Sequence, residues 1–271
     1  MKKNKHKYRP KVNKRKKKPY NRKSVNPNTK KIPLATWLNR IYTDTVNLDT
    51  TCAGRCECCK TAMPQMNFCE ATQLFKEVWD GESKSSKIDI ICTSIEYFFK
   101  HEFEKWGRDI LVKPCMLLSE DGRCKYYNSR PLSCRLYGLW PEEDYTARVD
   151  KFERAFEGLV TREELPMHTQ CPYVKRVDES VELTTEVING LFAQLDDLDA
   201  KIGDFSELQI KEKENYRTFH DWVLLIIYGE EWLSQWTAMI MAADSREVLE
   251  DLLVQVKKVA RDHFAKDMPK L

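Results

Sequence analysis

The sequence predicts a mainly α protein, a helical body around a loop-rich cysteine core with few or no strands. Three observations carry that prediction. Apolar residues recur at helical spacing from Ile32 almost to the C-terminus. Nine glycines in 271 residues leave little room for repeated βα turns. The centre of the chain instead concentrates cysteines, which suits loops held by a ligand better than sheet.

The first helix follows from Leu34, Trp37, Leu38, Ile41 and Tyr42, spaced i, i+3, i+4, i+7 and i+8 on one face. Leu74, Phe75 and Val78 predict a second over about 67–80, and Ile91, Ile95, Phe98, Phe99 and Phe103 a third over about 86–106. Beyond the cysteines, Leu183, Val187, Leu191, Leu195 and Leu198 form another stripe. Residues 212–241 are aromatic-rich and helical, with a break near Gly229. The last helix opens at Asp244 with Glu247 three residues on, a capping-box-like start, and is expected to bury Val248, Leu252, Val256 and Val259. Short strands are expected only at Ile110–Val112 and Cys124–Tyr127. These elements divide the chain into a basic tail (1–31), a cysteine-cluster metal-binding domain (32–180) and a helical C-terminal region packing on it (181–271).

Charge separates the tail from the body. Residues 1–43 hold 16 Lys and Arg and no acid, while the remainder sets 29 basic residues against 42 acidic ones. The tail repels itself and has almost nothing apolar to bury, so it is expected to be disordered in isolation. Lys14-Arg15-Lys16-Lys17-Lys18, with Tyr8 and Tyr20 nearby, suits RNA or another polyanion through phosphate contacts and base stacking. A solubilising tail, or one folding back on the acidic body, is the simpler alternative. No apolar h-region follows the N-terminal charge, and no run of about 18 apolar residues occurs, so a cytoplasmic protein without membrane insertion is expected.

The cysteines carry the chemistry. The first burst is Cys52, Cys56, Cys58 and Cys59; the second is Cys115, Cys124 and Cys134; Cys171 follows alone. Adjacent cysteines rarely pair with each other, because disulfide geometry needs a wider Cα separation than one peptide usually gives. A cytosolic cysteine-rich chain is more often metal-binding or catalytic than disulfide-stapled. Thiolate ligation of zinc or of an iron–sulfur cluster is therefore expected, and both take four cysteines. Arg130 and Arg135 flank Pro131 and Cys134. Arg135 beside a thiolate cluster offsets its charge or holds an anionic group of a cofactor; equally, it bonds loop carbonyls to hold the cysteine loops. Tyr126, Tyr127 and Tyr137 shield the centre from water. His168 is a loop histidine three residues from Cys171, Cys92 lies among Ile90, Ile91 and Ile95 as a core residue, and Cys69 borders a helix start. No serine–histidine–acid set, phosphate-cradling glycine loop or His-Glu-x-x-His occurs, which removes the hydrolase and NTPase readings.

The run Cys115-x8-Cys124-Lys-Tyr-Tyr-x2-Arg130-Pro131-Leu-Ser-Cys134-Arg135, after a Cys-Cys pair, resembles the CxxCxxCC family of zinc- or iron-chelating cysteine-cluster proteins. The resemblance covers about residues 50–175. It implies a four-iron cluster or zinc as cofactor. Some relatives resemble flagellin lysine N-methylases, which implies S-adenosylmethionine and methyl transfer to a lysine of a protein substrate. The family places two residues between its first two cysteines; here three intervene, so either Cys56 or Cys58 takes the second ligand role. That departure also creates Cys52-x3-Cys56-x2-Cys59, the spacing of radical S-adenosylmethionine enzymes. Such enzymes need a βα barrel behind the motif, and the helical, glycine-poor continuation supplies none. Two expectations remain: a cluster protein with redox or methyl-transfer chemistry, or a structural zinc protein delivered to RNA or a ribonucleoprotein by its tail.

Overall fold

The computed structural model describes residues 33–43, 46–52, 57–61, 63–107, 114–155, 171, 173–202 and 216–269. The tail 1–31, Cys56, the strand expected at Ile110–Val112, His168 and the start of the helix expected from 212 lie outside them. The fold is mainly α, and the described residues form two small antiparallel sheets of two strands each.

Helix α1 (Leu34–Thr43) follows Pro33 and buries Leu38, Ile41 and Tyr42, the face its periodicity marks. Strand β1 (Thr50–Thr51) leads to the single-turn helix α2 (Glu57–Thr61) and to β2 (Gln65–Asn67). Helices α3 (Phe68–Gly81) and α4 (Lys84–Gly107) come next. A loop segment with a 3-10 turn at Tyr127–Ser129 then runs into α5 (Leu132–Arg135) and α6 (Glu142–Ala155). The rest comprises β3 (Lys175–Arg176), α7 (Thr185–Ile202), β4 (Tyr216–Thr218), α8 (Phe219–Tyr228), α9 (Glu230–Ala242) and α10 (Arg246–Lys266).

Two apolar clusters form the core. In one, α4 is the spine on which α8, α9 and α10 pack, with Ile91, Ile95, Phe99, Trp222 and Trp236 buried inside. In the other, α1, α5 and α7 meet through Leu38, Ile41, Leu132, Leu136, Leu191 and Leu195. The sheets tie distant segments together: β1 pairs with β3, and β2 pairs with β4 through Gln65 to Thr218. Trp222 then donates its Nε1 hydrogen to the Met66 carbonyl at 2.9 Å, locking α8 behind β2.

Two expectations are corrected. The sequence around Cys124–Tyr127 forms no strand; Cys124 makes an isolated bridge with Leu118, and Tyr127 starts the 3-10 turn. The last helix is capped by Ser245, whose side chain accepts from the Val248 N–H at 3.2 Å, and not by Asp244. Its inward face is Leu249, Ala260 and Phe264, whereas Val248 and Val259 are 47% and 68% exposed. Leu252 and Val256, the other two expected residues, are partly buried against the first cluster, so the inward face overlaps the expected stripe and leaves out its Val248 and Val259 edge.

Candidate metal centre

Each cysteine loop is held in place by local chemistry. Cys58 and Cys59 occupy the single turn α2, with their sulfurs 3.9 Å apart. The Cys115 N–H donates to the Cys59 carbonyl at 2.5 Å, stitching the two bursts together. From Cys115 the chain folds back on itself: Ser119 N–H donates to Arg123 O at 2.7 Å and Lys125 N–H to Leu117 O at 3.0 Å. Gly122 supplies the positive φ of 76° that the reversal needs, and Cys124 returns opposite Leu118.

Cys134 sits on α5 behind Pro131, whose φ of −66° already suits a helix start. Buried Glu70 of α3 fixes that start by accepting from the Leu132 N–H at 2.6 Å. The same carboxylate accepts from Tyr42 Oη and from the Asn67 N–H, the latter at 3.2 Å. Burial pushes the Glu70 carboxyl up to about 7, against the downward pull of its hydrogen-bond donors. Asp199 of α7 takes the next orphan donors of α3, the N–H groups of Phe68 at 3.2 Å and Cys69 at 2.7 Å. Three segments far apart in sequence are thereby clamped beneath the Cys134 loop.

Cys58, Cys59, Cys115, Cys124 and Cys134 line one cleft of about 320 Å³. Tyr126, Tyr137, Trp140, Tyr145 and Tyr216 line the same cleft, and the described lining includes no carboxylate or imidazole. The wall is electrostatically coupled. Burial holds the Cys134 thiol well above its ordinary value, and charge on Cys115, Cys58 and Cys124 adds to the effect. The hydrogen bond with Cys58 and then burial push Cys59 up, whereas that same bond lowers Cys58 to about 7. Among the described residues, no group of three or more His, Cys, Asp or Glu side chains is arranged to hold a metal ion as it stands.

The remaining sequence candidates occupy different positions. Cys171 packs on Gly138, a cleft residue with φ of 78°; a Cβ there would lie 2.5 Å from the Cys171 Cβ. Cys52 follows β1 and is half-buried, but it is not among the described cleft residues. Arg130 lines the cleft, stacks 3.4 Å from the Tyr127 ring centre, and donates from Nε to the Tyr127 carbonyl at 2.7 Å. Arg135 is 5% exposed behind the wall. It donates to the carbonyls of Arg130 at 2.9 Å and Asn128 at 2.6 Å, covers the Tyr42 ring, and faces Asp49 at 3.6 Å. Cys92 is buried in the α4 interface, where its thiol faces the Lys257 carbonyl at 3.8 Å; Cys69 is buried in the second cluster.

Sequence reasoning missed the Glu70–Tyr42 pair, the Asp199 clamp and the wall formed by Trp140, Tyr145 and Tyr216. Two local signals existed: Glu70 stands three residues after Asn67 at capping-box spacing, and Gly138 is a glycine shortly after a short helix.

Fold and cleft together define a mainly α protein with a thiol-lined cavity. Comparison with protein-family models, with curated proteins and with solved structures finds no match to this chain. Among the described residues, no helix is long and apolar enough to cross a membrane.

Proposed function

We propose that the protein binds an iron–sulfur cluster through thiolates drawn from Cys58, Cys59, Cys115, Cys124 and Cys134, with zinc as the competing occupant. One observation carries the reading: thiols from both cysteine bursts line a single cleft whose described lining holds no hard oxygen ligand of the carboxylate type. Such a donor set suits zinc or an iron–sulfur cluster and disfavours magnesium or calcium. The preference for iron rests on the resemblance to the CxxCxxCC family. Ligation requires the described sulfurs to gather more closely than they stand. When bound, a cluster supplies electron transfer at a potential that its surroundings tune. The protein's own part is to hold the thiolates, to place the Arg130 guanidinium beside their negative charge, and to exclude water with the aromatic wall.

Anaerobic purification with iron, zinc and sulfide analysis and a visible spectrum tests this. Iron with acid-labile sulfide and a charge-transfer band is the expected result. A colourless protein with stoichiometric zinc overturns the iron reading. Cys59→Ser, Cys124→Ser and Cys134→Ser should each lower metal content and destabilise the region, because ligation and folding are coupled, whereas Cys92→Ser should leave the content unchanged. Methyl transfer to a protein lysine is the activity that the family resemblance adds. It requires S-adenosylmethionine binding, which titration of the metal-loaded protein measures. The charge segregation supports a second role, contact of the basic tail with RNA or another polyanion.

A further inference from the structure

We propose that the cysteine cleft binds a small organic carboxylate, a monoanion on an apolar or aromatic body, with the Arg130 guanidinium as its anchor. The proposal rests on the reading of this cleft as the functional site and adds a ligand beside the metal. Two arginines flank Pro131 and Cys134, and they are employed differently. Arg135 is spent: it is 5% exposed, donates to the carbonyls of Arg130 and Asn128, covers the Tyr42 ring, and has Asp49 at 3.6 Å as counter-charge. Arg130 is oriented but not neutralised. Its guanidinium lies 3.4 Å from the Tyr127 ring centre, its Nε donates to the Tyr127 carbonyl at 2.7 Å, and its Nη1 donates to Thr50 Oγ1 at 3.4 Å. Tyr127 is tethered in turn, its hydroxyl donating to the Thr50 carbonyl at 2.8 Å. The fork is thereby pinned between the 3-10 turn and β1. A guanidinium carries five N–H donors. These contacts use two, which leaves three without a partner among the described residues. No Asp or Glu belongs to the described lining to pair with it.

Charge selects the occupant. Arg130 is the only Lys, Arg or His in the described lining, so the cleft offers a single positive charge, which a monoanion matches and a phosphate dianion exceeds. A guanidinium without a counter-charge is costly to desolvate, whereas a carboxylate on its fork gains two parallel N–H···O bonds. Burial raises the Cys134 thiol and the Arg130 charge opposes that rise, so the anchor stands close to the thiols. The rest of the lining suits the ligand's body. Tyr137, Trp140, Tyr145 and Tyr216 supply aromatic surface. Trp140 and Tyr216 are braced through Phe192, whose ring stacks on the first at 6.3 Å and meets the second edge-on at 5.8 Å. Small-molecule sites of roughly 300–1,000 Å³ combine apolar walls with a few fixed polar groups. The cleft, at about 320 Å³, has that size and that make-up.

Saturation-transfer NMR titrations of the full-length protein, purified anaerobically with its metal, test the proposal. Three probes share one body: 3-phenylpropanoate, 3-phenylpropanamide and 3-phenylpropylamine. The acid should bind at least about tenfold more tightly than the amide, and the amine more weakly still, because charge-assisted hydrogen bonds exceed neutral ones. Arg130→Gln should erase the preference for the acid. Arg130→Lys should keep only part of it, since the charge stays while the fork is lost. Equal affinity for acid and amide in the unsubstituted protein overturns the proposal. So does a preference for the acid that survives Arg130→Gln, because the metal itself then takes the carboxylate. Should Arg130→Gln unfold by circular dichroism, Arg130→Lys decides, and an undiminished preference there overturns the proposal. Iron, zinc and sulfide analysis of the same samples keeps the two readings apart. Metal-free protein that still prefers the acid removes the cluster and keeps the carboxylate site, whereas metal-loaded protein indifferent to the acid removes only the carboxylate site.

Discussion

Glu70 shows how one residue governs the Cys134 loop. Its carboxylate is buried and gathers Tyr42 Oη and the Leu132 and Asn67 N–H groups. Its folded pKa of about 7 exceeds the reference value of 4.5. Between those values the folded state binds more protons than the unfolded state, so this group costs stability as pH climbs from about 4.5 to about 7. The slope is at most about 1.4 kcal/mol per pH unit. Burial raises Asp199 as well, in the same direction. Glu70→Gln keeps an acceptor for Tyr42 and Leu132 but cannot titrate. Denaturation series at pH 5, 6, 7 and 8 should show a shallower loss in the variant; identical slopes would assign the dependence elsewhere. Gly138 offers a second test. Its φ of 78° strains any L-residue, and an added Cβ would meet the Cys171 Cβ at 2.5 Å and backbone N at 2.7 Å. Gly138→Ala should cost about 2 kcal/mol or more in thermal unfolding, beyond the 1–2 kcal/mol of a left-handed alanine. Only part of this was legible locally. Glu70 stands three residues after Asn67 at capping-box spacing, and Gly138 follows a short helix, but only Leu132, 62 positions away, shows that Glu70 also fixes the start of α5.

At the scale of elements, helix existence was written in the spacing, while helix rotation was settled by what lies alongside. Helices α1, α3, α4 and α7 follow their apolar periodicity closely, because each has one stripe and one place to bury it. In α10 the apolar arc is wide, running through Val248, Leu249, Leu252, Leu253, Val256, Val259 and Ala260. Its fully buried side is Leu249–Ala260–Phe264, Leu252, Leu253 and Val256 are partly buried against the same cluster, and Lys257 pairs with Glu96 of α4 at 2.6 Å along the seam. The adjacent positions 248 and 249 thus make a clean comparison. Leu249→Ala should destabilise by about 2–5 kcal/mol through transfer and cavity costs. Val248→Ala should stay within about 0.5 kcal/mol. Equal losses in chemical denaturation would mean that the helix is rotated from its described orientation. The break between α8 and α9 was legible: Gly229 at φ 81° ends one helix and begins the next.

For the whole molecule, Pro33–Leu271 forms one compact unit. Deleting residues 1–31 removes 15 basic residues and none of the described core. The truncated chain should keep its helicity, melting temperature and metal content. Affinity for a single-stranded RNA oligonucleotide should fall sharply on truncation, and for the full chain it should decline steeply with salt, since each neutralised phosphate releases counterion. Unchanged affinity would leave the tail as a solubilising or targeting segment.

The amino-acid sequence by itself determined the mainly α class, the inward stripes of the narrow-faced helices, and the two cysteine bursts, because periodicity and spacing are properties of neighbouring residues. Tertiary structure decided which cysteines share a cleft. Cys58, Cys59, Cys115, Cys124 and Cys134 converge, Cys171 wedges against Gly138, and Cys69 and Cys92 are absorbed by packing. It also decided that Arg130 lines the cleft while Arg135 bonds loop carbonyls behind it. Those outcomes depend on contacts such as β2 with β4 and Asp199 with the first turn of α3. Such contacts join positions more than a hundred residues apart, and their free energy exists only once the chain has closed those loops.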